Sequence, residues 1–569
     1  MGFLLVWWHK SCSKSADGTP ICAPWGAWTM PGQSWWPDAS INSNKNSQRR
    51  MISRCPAPKG HGMKGRLALI IAIGLLWRCC AAQVTVTVGT NVNITKSAAN
   101  NAEECIALNP ANPANLFASD TWTGAFRYSL DGGMTWSNCN ASALDTALGD
   151  VAATFDTFGN LYAVQFGASY STQVGLSTNG GATFSLLYQT SETRTDQPKV
   201  TTGLSGVAGQ GSVWITYTTS KSKIAIQGAV VTGLGAVGAF SAVEKTSVNG
   251  DFGSIAVGLS GQVLVCYQDP STTTGPDIIH VNLDADGLGT NGFGPIINAT
   301  STQVGSFAPI PVQPRRSIDA EAKLAWDCSG GAHNGRVYLS YTDRPATTSD
   351  DTDIYVRYSD DNGSTWSNPV RVNDDLVGNG KSQFLPHIAL DQTTGYIAVS
   401  FYDCRNSASN NTAEVWASVS TDGGTTFLPN VKVSAGVSSA LVSAITSTKF
   451  DFGDYTGLAF YGGTFYPCWA DNSNSTGDNP AGAGGNFDLY TARVTVMPPL
   501  VMLNPRRINA TFHVLVQTVA MKTYYLDRTI SVPSPEWTAA ASVAGDGTMK
   551  ELVDTNATPP QAFYRVRAQ

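Results

Sequence analysis

An eight-residue turn occurs four times in this chain, and it limits the folds available more than any other feature. The first copy is Ser129-Leu130-Asp131-Gly132-Gly133-Met134-Thr135-Trp136. The others begin at Ser177, Ser359 and Ser420 and follow one rule, Ser-x-Asp-x-Gly-x-Thr-(Trp/Phe), with Asn179 standing once for the aspartate. Each follows an apolar run such as Ile354-Tyr355-Val356, so each reads as strand, hairpin turn and next strand. The aspartate can accept bonds from turn amides, glycine supplies a positive φ, and the closing aromatic can pack between sheets. One such turn is an ordinary hairpin; four on one rule indicate a repeat architecture.

The spacing gives the size of the repeat. Asp361 and Asp422 are 61 residues apart, and Asn179 and Asp361 are 182 apart, close to three such steps. Two units with decayed turns therefore fit between them. Short apolar strands opening a unit are expected at 105–108, 151–155, 198–201, 254–257, 322–326, 387–390 and 455–460. Seven starts predict an all-β fold of about seven four-stranded blades, with six as the alternative. The Val-Thr alternation from Gln83 to Thr95 is a spare strand suited to closing the last sheet, which removes exposed edges.

The turn resembles the Asp box, or BNR repeat, of the sialidase (neuraminidase) superfamily, whose copies sit on β-propeller blades. The resemblance implies a propeller over 83–497 with the Asp boxes on the face away from the active site. It also implies a carboxylate clamp of three arginines, an aspartate acid/base, and a tyrosine nucleophile assisted by a glutamate. The early Arg-Ile-Pro motif of that family is absent; after Gln83 the first arginine is Arg127.

Outside the propeller, Met497-Pro498-Pro499 reads as a linker, and 498–569 as a small β-sandwich-like module with Trp537 between its strands. Met63-Lys64-Gly65-Arg66, the apolar stretch from Leu67 to Trp77 and Cys80-Ala81-Ala82 make 63–82 a secretory signal, too short to span a bilayer permanently. Residues 1–62, rich in Trp, Ser and Pro without periodicity, read as an over-extended, disordered start. A secreted, cell-surface or periplasmic protein is expected, and a monomer. Six cysteines follow residue 83; Cys105 and Cys139 lie within one repeat and are the candidate disulfide. A net charge of −6 gives no reason to expect nucleic acid as partner.

In a propeller, the start of each innermost strand and the end of each second strand share one face. Glu103, Asp150, Asp196, Asp251, Asp319, Glu321 and Asp454 precede or open innermost strands. Asp343 with Arg344, and Asp403 with Arg405, end second strands, and Arg194 precedes Asp196. The expected catalytic residues are Asp196, Asp454 and Tyr455; Arg194, Arg344, Arg405, Asp343 and Asp403 are the expected substrate-binding set. No metal-ligand spacing or cofactor motif appears, although 350–353 and 471–474 have the composition of a structural calcium loop. The partner expected at this mouth is a glycan, as substrate of a glycoside hydrolase of the exo-α-sialidase type or as ligand of a non-catalytic propeller. A mouth of simple turn caps is the remaining reading.

Overall fold

The computed structural model describes residues 84–569 apart from 146–148, 271–273, 448, 533–534 and 559–560, together with two short paired strands, Ser13–Lys14 and Pro20–Ile21. The described residues from 84 onward fall within one compact unit. The extension expected over 1–62 and the signal expected over 63–82 lie outside the described residues, those two strands excepted.

Seven antiparallel meander sheets follow one another along this unit, six of four strands and one of five. Their first strands are Glu104–Leu108, Ala152–Phe155, Asp196–Leu204, Asp251–Val257, Lys323–Trp326, Gln383–Leu390 and Gly457–Tyr461. Each of these touches the next, and the seventh touches the first, so the sheets form a closed ring of blades about a central axis. The ring is sealed by Thr85–Asn93, which pairs with Asp488–Met497 as the fourth strand of the seventh blade. Second strands such as Leu161–Phe166 and Val263–Gln268 are buried at every position. Both faces of a blade pack on its neighbours, which is why these strands read as continuous apolar runs rather than alternating ones.

The four repeated turns join third strands to fourth strands. In the last copy Asp422 accepts from the Ser420 hydroxyl (2.9 Å), the Thr426 amide (2.9 Å) and the Thr426 hydroxyl (2.6 Å). Gly132 and Gly423, at φ 75° and 71°, supply the left-handed step. The Trp136 and Trp366 indoles each donate at 3.0 Å to a glycine carbonyl of their own turn. Asp422→Ala is expected to cost about 1–2 kcal/mol in urea unfolding, since three hydrogen bonds lose their acceptor. Ligand binding on the opposite face should not change.

That opposite face, the mouth, carries its own repeated device. Six of the seven first strands are entered through a non-glycine residue with positive φ: Glu103 (57°), Asp150 (38°), Gln197 (45°), Phe252 (57°), Glu321 (44°) and Leu385 (49°); Gly453 (84°) takes the seventh place. Each costs of order 1 kcal/mol relative to extended backbone, and such strain persists only where the surroundings fix it. The effect is a bulge at the strand entry, seen as register shifts between Asp196 and Lys199, Asp251 and Ser254, and Phe384 and His387. On the first four blades these residues, Glu103, Asp150, Gln197 and Phe252, line one cavity on the mouth face, while Lys199, Lys323 and His387 line a channel along the axis.

An inserted hairpin, Ala308–Ile310 with Gln313–Ile318, leaves the ring between the fourth and fifth blades. Val304, Ala308, Ile310, Val312 and Ile318 belong to one buried cluster with Phe384, Tyr402, Phe452 and Phe487. The hairpin therefore lies over the sixth and seventh blades. It is pinned where Asp451 accepts from the Arg315 and Arg316 amides (2.7 and 3.0 Å) and Gln313 Nε2 donates to the Gly453 carbonyl (2.8 Å).

After Met497 the chain forms two three-stranded sheets, Leu503–Ile508, Thr511–Gln517 and Met549–Asp554 facing Thr538–Ala544, Thr523–Thr529 and Phe563–Ala568, around Val514, Tyr524 and Leu526. The expected Cys105–Cys139 disulfide is absent: both thiols are free, as are the other four after residue 83. Cys105 sits on the innermost strand of the first blade and Cys139 just beyond the outermost. Three inter-strand spacings, about 14 Å, exceed the roughly 7 Å that a disulfide spans between Cα atoms.

Candidate functional site

With the hairpin over the sixth and seventh blades, the open part of the mouth draws on the first four blades and the entry of the seventh. There a cavity of about 380 Å³ is lined by Glu103, Asp150, Asp196, Asp251 and Asp454, by Arg316 from the hairpin, and by Trp122, Phe166, Phe252, Phe307 and Phe450. Five carboxyl groups thus meet one guanidinium between aromatic walls. Trp122 and Phe307 are 43% and 47% exposed, which leaves their faces free for a ligand. Trp122 leans on Phe450 with ring centroids 4.1 Å apart, and the Arg316 guanidinium lies 5.3 Å from the Phe450 ring centre.

Two carboxylates stand out, and their surroundings differ. Asp454 is buried and receives a charge-assisted bond from Arg316 Nη2, which also lies 3.5 Å from Glu103 Oε1. Burial pushes the Asp454 carboxyl up, Arg316 pulls it down and Asp150 raises it again, leaving it at about 6. Glu103 goes well above the usual carboxylate range, because burial and then Asp454 and Asp150 disfavour a further charge. Asp196 lies at the exposed edge of the cavity, yet protein crowds it from the sides. Desolvation, then Asp150 and Asp251, push it up to about 7. Its neighbour Asp150 accepts from the Gln197 amide at 2.9 Å.

Tyr455 is not on the cavity wall. It lines the axial channel instead, where its hydroxyl is held by Thr121 Oγ1 (2.6 Å) and donates to Asp150 Oδ1 (3.4 Å). Lys199 Nζ sits 3.6 Å above its ring. Burial and the Asp150 and Glu103 charges push the phenol well above its ordinary value, the opposite of what a phenolate nucleophile needs. In the same channel His387 is driven down to about 3 by burial and Lys323, so its ring is neutral and Nδ1 donates to the Thr456 carbonyl (2.6 Å).

The three expected clamp arginines are not brought together. The guanidinium of Arg344 donates to the carbonyls of Gln303 (3.1 Å), Ser349 (3.2 Å) and Thr274 (2.7 Å), so it braces loops. Arg405 is held by Asp403 (2.8 Å), Asp374 (2.6 Å) and Asn430 (2.8 Å) and stacks 4.2 Å from the Trp416 ring. Their neighbours are occupied too: Asp343 accepts from the Gln303 and Arg344 amides, and Asp403 from Arg405 and Gln383. Arg194 is exposed, two residues before Asp196, and outside the cavity lining. Asp196 and Asp454 are the expected residues that do line it.

Sequence reading missed Arg316 and the aromatic wall. Arg315-Arg316 lies in an insertion with no place in the repeat, so no periodicity pointed to it. Among the described residues, no group of three or more Asp, Glu, His or Cys side chains is arranged to hold a metal ion. In the two loops expected to suit calcium, Asp353 accepts from Arg371 and Asn373 (both 2.7 Å), and Asp471 from the Trp469 indole (3.0 Å) and the Ser473 amide (2.6 Å).

No protein-family model matches the chain, and no curated protein sequence does. Among solved structures, a protein of unknown function from Dyadobacter fermentans is similar over 72% of this chain and 99% of its own, at 12% identity and TM-score 0.39. The phage phi92 endosialidase is similar over 80% of this chain and 75% of its own, at 11% identity and TM-score 0.37. An α-L-arabinofuranosidase from Fusarium graminearum is similar over 61% and 92%, at 12% identity and TM-score 0.35. The propeller assignment therefore rests on the ring of sheets itself: the chain is an all-β propeller with a small C-terminal β-sandwich.

Proposed function

We propose that this protein is a secreted carbohydrate-active propeller that binds a glycan in the mouth cavity and hydrolyses a glycosidic bond there. The observation that carries the reading is the pairing of two unlike carboxyl groups, Asp196 near 7 and Asp454 near 6, in one aromatic-walled cavity. Glycoside cleavage needs one carboxylic acid to protonate the leaving oxygen and one carboxylate to act at the anomeric carbon, directly or through water. Asp196 keeps its proton near neutral pH and is open to the cavity, so it takes the acid role. Asp454 is ionised at pH 7 beside Arg316 and takes the carboxylate role. The products are the freed alcohol and a hemiacetal, with one water consumed.

The charge balance selects the sugar. The one guanidinium on the described lining, Arg316, is already engaged by Asp454 and Glu103, which leaves no unpaired cation there to meet an acidic sugar. The substrate proposed is therefore a neutral or amino sugar rather than a sialoside, with the sugar face resting on Trp122 and Phe307. The reading is of one class with the glycosidases named above, but it stands on the cavity alone.

The dispersed arginines and the buried Tyr455 hydroxyl favour a second reading, recognition without hydrolysis. Release of a fluorescent aglycone from a panel of neutral, amino and sialylated glycosides, run beside a glycan array, separates the two. Turnover of a neutral or amino glycoside supports hydrolysis; array binding with no turnover supports recognition; turnover of sialosides alone would overturn the charge argument. Trp122→Ala is expected to weaken glycan binding roughly fivefold to tenfold, equivalent to about 1 kcal/mol of ring contact, as read by titration calorimetry.

A further inference from the structure

We infer a second ligand site, for a single anionic group, on the far face of the propeller beneath the C-terminal sandwich. A cavity of about 330 Å³ lies between the seventh blade, the first repeated turn and the sandwich, and its walls include Gly132, Tyr466, Arg493, Thr495 and Lys522. No carboxylate is among its described lining residues, whereas the mouth cavity has five.

Two of its buried polar atoms, the Tyr466 hydroxyl and Arg493 Nε, are donors without acceptors among the described residues. Tyr466 is 1% exposed, and its hydroxyl has no hydrogen-bond partner among the described residues. A Cβ placed on Gly132 would stand 3.6 Å from that oxygen, so the hydroxyl faces the turn that walls the cavity. The Nε of Arg493 is buried and likewise unpartnered, and its Nη2 reaches only the Ala520 carbonyl at 3.5 Å. Arg493 and Tyr466 both line this cavity. Lys522 has no ion-pair partner among the described residues.

A buried donor left without an acceptor is destabilising, and here a phenol hydroxyl and the Nε–H of a guanidinium are left so in a cavity that an ammonium also lines. A neutral ligand would satisfy the bonds and leave two positive charges. A carboxylate or a sulfate or phosphate ester would satisfy both, and the planar fork of arginine suits such oxygens. The inferred ligand is therefore one acidic group, free or carried on a sugar such as a uronic acid. The site does not depend on the chemistry proposed at the mouth.

Titration calorimetry on the full chain, at constant ionic strength against chloride, with inorganic sulfate, glucuronate and a sulfated disaccharide as separate probes, tests it. At least one probe is expected to bind to wild type, and Lys522→Gln and Tyr466→Phe are each expected to weaken that binding at least tenfold. Glucuronate alone assigns a carboxylate, sulfate alone a free oxyanion, and the disaccharide a sugar-borne ester. Tyr466→Phe keeps the ring packing and removes only the orphaned hydroxyl, so it should stay folded by circular dichroism. Absence of binding by all three probes, or equal affinities in wild type and both variants, would overturn the inference.

Discussion

Asp196→Asn is expected to lower glycoside turnover by about 10²–10⁴-fold, the range for loss of a general acid, with little change in the affinity for uncleaved glycan. The variant also carries a pH signature. The folded carboxyl sits near 7, above its ordinary 3.8, because desolvation and the Asp150 and Asp251 charges disfavour the ionised form. The folded protein therefore binds a proton that the unfolded chain releases. Asp196 contributes stability that is present below pH 4 and lost as pH rises toward 7. Removing the ionisable group should therefore raise the melting temperature relative to wild type by more at pH 8 than at pH 4. Parallel curves across that range would show that Asp196 has an ordinary carboxyl and no acid role.

Arg316→Gln is expected to have the largest effect on stability. It leaves Asp454 and Glu103 in the cavity floor without their counter-charge. Breaking a fully buried pair costs 3–5 kcal/mol; with the Arg316 side chain 29% exposed, about 2 kcal/mol is expected in urea unfolding at pH 8. The cost should shrink at pH 5, where both acids accept protons. Activity should fall as well, because Asp454 would hold its proton to higher pH and lose its carboxylate role at neutrality. A stability loss equal at both pH values would mean that Arg316 acts through packing on Phe450 rather than through its charge.

The fold was legible because it is written in repeats. The turns at Asp131, Asn179, Asp361 and Asp422 gave the hairpins, and the apolar runs between them gave the strand starts within one to four residues, from 105 against Glu104 to 387 against Gln383. The mouth acids were legible for the same reason, since topology alone puts strand entries on one face. Radial position was not. Arg344 and Arg405 end second strands on the mouth face, as expected, but sit outward of the axis, where backbone carbonyls and acidic side chains hold them. Tyr455 adjoins Asp454 in sequence, yet in the loop before the seventh first strand the two side chains line different cavities. The left-handed entries at Glu103, Asp150 and Phe252 use residues that do not announce a positive φ. The Arg316 hairpin belongs to no repeat, yet it brings Arg316 to the cavity wall. The missing disulfide has the same origin: nearness in one repeat is not nearness across a blade.

The central claim is that Asp196 and Asp454 act together on a glycosidic bond in the mouth cavity. Its most direct test is the single-turnover rate of aglycone release from a neutral or amino glycoside by wild type, Asp196→Asn and Asp454→Asn. A wild-type pH profile with limbs near 6 and 7 is expected, with release reduced at least about a hundredfold in each variant and binding retained. Unchanged release in either variant, or glycan binding that Trp122→Ala leaves untouched, would contradict it.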